Sequence, residues 1–143
     1  KRSAPAPAMR IFDTPTREKC VIRRQRTNTP LQALVTLNDP QFVEAARFLA
    51  ERMLNEGGDT PRSRIQFAYR AVTSRMPHDK VVDILLESYQ KELKKFQENK
   101  DQATKLLGVG EGKRDEALDA AEHAAWTVVA SMILNLDDFL TRG

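Results

Sequence analysis

Cysteine is nearly absent: Cys20 stands alone among 143 residues. An internal disulfide and a Cys-x-x-Cys-His haem-attachment motif are therefore excluded within the chain. There are two histidines, little material for a metal centre. Six glycines and short β-branched runs argue against a sheet. Aromatics reach 6%, too few for a platform that stacks sugars or bases. No apolar run can cross a bilayer, since the most apolar one, Ala124 to Leu136, is short and broken by Thr127, Ser131 and Asn135. A net charge of +3 and the lack of a reading motif leave no nucleic-acid partner to expect.

What is present fits one globular domain: a hydrophobic fraction of 41% and a charged fraction of 30%. The charge is unevenly placed. Residues 1–26 hold eight basic and two acidic residues, a net +6, against 15 basic and 18 acidic in the rest, a net −3. A basic arm on a mildly acidic body is expected to dock on it. Residues 1–28, with Pro5, Pro7 and Pro15, read as an extended arm in which Ile11-Phe12 anchors in a groove of the body. Residues 29–143 read as the helical domain. The opening residue is Lys1 rather than methionine, so the chain is expected to be a C-terminal fragment of a larger protein.

The fold class is all-α: five main helices in a bundle-like or orthogonal array, with the extended N-terminal arm and a long apolar C-terminal helix. Helix starts are well marked. Thr29-Pro30-Leu31-Gln32 predicts an N-cap, a proline at the first position and a capping box closed by Gln32. Asn38-Asp39-Pro40 stops that helix and starts the next, to about Asn55, with Phe42, Ala45, Ala46, Leu49 and Met53 inward and Glu44, Arg47, Glu51 and Arg52 outward. Gly57-Gly58 ends it, and Thr60-Pro61 opens a third helix, with Met76 inward, closed by Pro77. A fourth begins near His78-Asp79. A short helix covers Asp101 to Leu107, and Gly110-Glu111-Gly112 reads as a loop without the Lys-Ser of a phosphate loop. The last helix is expected over about Arg114 to Leu140, apolar on most sides and central.

The candidate site surrounds the first helix start. Arg23, Arg24 and Arg26 place three guanidiniums in four residues. They either bind an anion beside a helix N-terminus or brace the arm on acidic residues and carbonyl ends, and bracing is the preferred reading. Asn28, Gln32, Asn38 and Asp39 complete this hub. Asn28, Asn38 and Asn135 are expected to satisfy backbone groups. Glu116, Asp119 and His123, at i, i+3 and i+7, are the weak metal candidates, but a matching Glu-x-x-His is missing. Cys20 is a nucleophile beside arginines, a half-buried thiol, or the partner of a cysteine outside this fragment. Trp126 and Tyr89 are expected in or near the core. No catalytic set, cofactor or metal is expected in this chain.

The run from Phe12-Asp13-Thr14-Pro15 through Cys20-Val21-Ile22-Arg23-Arg24-Gln25-Arg26-Thr27-Asn28-Thr29-Pro30-Leu31-Gln32 to Leu37-Asn38-Asp39-Pro40 closely resembles the C-terminal domain of unknown function of planctomycete cytochrome c-domain proteins. Lys1-Arg2-Ser3-Ala4-Pro5 and Leu134-Asn135-Leu136-Asp137-Asp138-Phe139-Leu140 resemble it too, and residues 78 to 113 only loosely. The resemblance implies a large exported protein, extracytoplasmic or at the cell surface, with a c-type haem in an upstream domain. It supplies no catalytic residues. Three functions follow as expectations. The first is a non-catalytic interaction or scaffold module, partnered by upstream domains of the same chain. The second is a binding module for acidic or sulfated polysaccharide. The third is part of a hydrolase or redox enzyme completed upstream.

Overall fold

The computed structural model describes residues 29–136. The arm, with Ile11-Phe12, Cys20, Arg23, Arg24, Arg26 and Asn28, lies outside the described residues. Those described are helical and contain no strand. Among the described residues six helices form, where five main ones were expected: α1 (Pro30–Asn38), α2 (Pro40–Glu56), α3 (Pro61–Thr73), α4 (Asp79–Glu98), α5 (Lys100–Leu107) and α6 (Ala120–Leu134).

The starts follow local chemistry. Thr29 Oγ1 accepts from the Gln32 N–H at 3.3 Å, and Gln32 Oε1 accepts from the Thr29 N–H at 2.9 Å, a closed capping box. Asp39 caps α2 by accepting from the Gln41 N–H at 2.9 Å. Thr60 and Ser63 repeat the box on α3. His78 precedes α4 without a side-chain cap bond. α3 stops at Thr73, short of Pro77, because Ser74 turns left-handed at φ 60°. Met76, expected inward, is therefore carried off the helix and is 62% exposed.

The last helix departs most from expectation. It is 15 residues long and begins at Ala120, so a long apolar C-terminal helix starting at Arg114 does not form. Asp115 Oδ1 accepts from the Ala117 N–H at 2.9 Å, a local bond that diverts the backbone into a turn. Asp119 then caps the helix, accepting from the Glu122 N–H at 2.9 Å.

α6 packs against each of the other five helices. Ala121, Ala124, Ala125 and Ala130 let backbones approach closely, and Trp126, Val129 and Ile133 fill the space between. From α2 come Ala46, Ala50 and Met53, from α3 Ile65 and Ala68, from α4 Val82 and Leu85, and from α5 Ala103 and Leu107. α1 is held differently. Gln32 and Thr36 are buried, whereas Leu34, which helical spacing puts on one apolar face with Leu31 and Val35, is 57% exposed. Thr36 Oγ1 donates to Asn135 Oδ1 at the end of α6, so a polar bond ties the first helix to the last.

Candidate functional site

Helical spacing put Arg47 on the outer face of α2, yet it is 1% exposed. Its Nη2 donates to the Gly112 carbonyl at 2.7 Å and lies 3.4 Å from Glu44 Oε1, while Nη1 reaches the Leu107 carbonyl at 3.4 Å. Glu44 Oε1 also accepts from the Gly112 N–H. Both polar groups of Gly112 are thus gripped by one turn of α2. A Cβ at Gly112 would lie 2.6 Å from Glu44 Oε1 and 2.8 Å from Phe48 Cζ, so a larger residue would have to push these side-chain ends aside and disturb the clamp.

Beneath this clamp sits His123, fully buried on α6. Its Nε2 lies 3.3 Å from the Arg47 carbonyl oxygen. A carbonyl only accepts, so Nε2 carries the proton and Nδ1 is a bare acceptor. Burial pushes the imidazole below the ordinary histidine value, against the carbonyl bond and the Glu51 charge, which favour the charged form; Arg47 and Arg114 add to the lowering. Four atoms here are buried without a hydrogen-bond partner among the described residues: Arg47 Nε, Glu51 Oε2, Arg114 Nη1 and His123 Nδ1.

A second polar group lies on the next residue of α6. Arg64 of α3 donates to Glu122 Oε1 at 2.7 Å and to the Gly58 carbonyl at 3.0 Å. Its guanidinium carbon lies 5.9 Å from the centre of the Trp126 ring, which stacks on Tyr89 at 4.0 Å and 20°. Burial pushes the Tyr89 phenol up, and the Glu122 charge adds to this. Residues 64 and 122 are 58 positions apart, and nothing in the sequence pairs them.

The third feature is an open apolar groove of about 370 Å³ between α1, α4 and α6, lined by Leu37, Val81, Ile84, Leu85, Met132, Asn135 and Leu136. Ile84 is 60% exposed at its rim.

Of the sequence-derived hub, the described members serve the backbone. Gln32 and Asp39 cap helices, and Asn38 Nδ2 donates to the Leu34 carbonyl at 2.8 Å. Glu116 lies in the turn before α6, Asp119 is its cap and His123 is inside the fold, so the three do not share a helical face. No group of three or more His, Cys, Asp or Glu side chains is placed to hold a metal ion among the described residues. No helix among them is long and apolar enough to cross a membrane. The buried clamp has the chemistry of a latch, holding backbone and presenting no exposed nucleophile or base.

A family model described as PSD1, protein of unknown function (DUF1553), matches residues 1–89. No curated protein and no solved structure matches the chain. The match takes in the arm and α1 to mid-α4, and stops before the closing run from Leu134 to Leu140.

Proposed function

From the premise that this chain belongs to the DUF1553 family of proteins of unknown function, we propose that it is a non-catalytic helical interaction module. Its partner is another domain of the same, larger polypeptide. The observation that carries this reading is the apolar groove between α1, α4 and α6. One polar residue, Asn135, interrupts its lining, and Ile84 and Leu37 in it are 60% and 49% exposed. An apolar recess of this kind suits burial against another protein surface. Its wall includes Leu37, near the C-terminal end of α1. The setting proposed for it is an exported protein with a cytochrome c domain, which the resemblance of the run from Phe12 to Pro40 implies.

The test is a photo-crosslinking residue at position 84 of the full-length polypeptide. Crosslinks should map to another domain of the same polypeptide. Turnover of substrate by the 143-residue chain alone, or a crosslink pattern free of intramolecular products, would refute the reading. The acidic-polysaccharide reading rests on the charge of residues 1–26, outside the described residues, and the groove favours the protein-docking reading over it.

A further inference from the structure

The groove between α1, α4 and α6 offers a guest almost no hydrogen bonding, and the same device is at work on each of its three walls. On α1, Asn38 Nδ2 donates to the Leu34 carbonyl at 2.8 Å. On α4, Ser88 Oγ donates to the Ile84 carbonyl at 2.9 Å. On α6, Asn135 Nδ2 donates to the Ser131 carbonyl at 2.9 Å. In all three a polar side chain folds back on the carbonyl one turn earlier in its own helix. Asn135 Oδ1 is taken as well, by the Thr36 hydroxyl. Asn135 is the one polar residue of the lining, and both ends of its amide are engaged. The remainder is aliphatic or thioether: Leu37, Val81, Ile84, Leu85, Met132 and Leu136.

What the groove lacks selects the form of its guest. An extended segment entering it would strip water from its own N–H and C=O groups and find no replacement. A helix makes those bonds internally and presents side chains alone. Two other common modes of recognition do not fit. Pairing with a sheet edge needs a strand, and the described residues contain none. A proline-rich segment docks on aromatic side chains, and the lining of the groove holds none. The apolar surface also continues past the groove. Leu34, one turn before Leu37 on α1, is largely exposed, so the apolar track follows that helix. Resting on the docking reading above, we propose that the guest is an α-helix of the partner domain, laid along α1 with one apolar stripe turned into the groove.

The full-length polypeptide, carrying a photo-crosslinking residue in turn at positions 37, 84 and 136, tests this. The residues captured in the partner domain should lie on one segment, about three, four or seven positions apart. A proline placed between the captured residues should cut the yield from position 84 tenfold or more, because it breaks the helix, while an alanine at the same place leaves the yield unchanged. Captured residues two apart, or scattered over several loops, overturn the helix and leave the docking reading standing. So does a yield that the proline does not change. Absence of any product in another domain overturns both. The spacing decides without the proline variant, so a partner domain that fails to fold does not shelter the idea.

Discussion

At the scale of single residues, Arg47 matters most among the described residues, and its position was the least legible in the sequence. A charged residue in a helix of mixed character is assigned outward by periodicity, because periodicity sees spacing and not the partner 65 residues away. Buried, it needs its three acceptors: two backbone carbonyls and Glu44. The 2.7 Å bond to Gly112 is much closer than the 3.4 Å approach to Glu44, so the Gly112 carbonyl carries more of the stabilisation than the ion pair does. Arg47→Ala should cost about 2–4 kcal/mol in urea unfolding, and Glu44→Ala clearly less. Equal losses would show that Glu44, through the ion pair and its bond from the Gly112 N–H together, holds the clamp as strongly as Arg47 does. His123 gives a second prediction. Unfolded, it binds a proton near pH 6.5; folded, it does so only at lower pH, because it is buried. Between those values the unfolded chain holds more protons, so stability falls as pH falls and levels off once the folded ring is charged. The urea midpoint should drop between pH 7.5 and 5.5 in the wild type and stay flatter in His123→Gln.

At the scale of elements, boundaries were readable wherever a cap stood beside a proline. Thr29-Pro30, Asp39-Pro40 and Thr60-Pro61 each mark a start that forms as expected, because capping is a bond between residues two or three apart. Without a proline to mark them, the starts of α4 and α5 were still read to within a residue, and the start of α6 was missed. α6 opens at Ala120 because Asp115 spends its carboxylate on a turn and Asp119 caps, and an acidic run does not say which of its members will cap. On α1 the apolar spacing of Leu31, Leu34 and Val35 did not show that Leu34 is exposed while Gln32 and Thr36 are buried, drawn in by bonds that include the one to Asn135 on α6. Two substitutions separate these effects. Asp119→Ala should cost about 1 kcal/mol by unfolding the first turn of the central helix. Asn135→Ala should cost a similar amount, about 1–2 kcal/mol. Their exchange signatures should differ, with Asn135→Ala raising exchange throughout α1 and Asp119→Ala raising it at the start of α6. Identical patterns would mean that α1 is not tied to the core through Asn135.

At the scale of the whole molecule, the design is a small-residue helix surrounded on all sides. The run of alanines from Ala120 to Ala130 announced a helix with several close neighbours, and that much of the architecture was legible from composition along one segment. What composition could not show is that polar residues share the same centre. His123 and Thr127 are buried beside Ala124, Trp126 and Val129, each satisfied in part by backbone. Such a centre tolerates added volume poorly. Ala124 has no exposed surface, so Ala124→Leu must displace a neighbouring helix and should cost about 1–3 kcal/mol. The groove on the opposite scale of burial should behave in the other way. Ile84→Ser removes an exposed side chain at the rim and should leave stability within about 0.5 kcal/mol. If the groove serves docking, the same substitution should weaken association with the neighbouring domain while the melting curve of the 143-residue chain stays in place. A large loss of stability from Ile84→Ser would instead make the groove part of the fold's own core, and the interaction reading would lose the surface on which it stands.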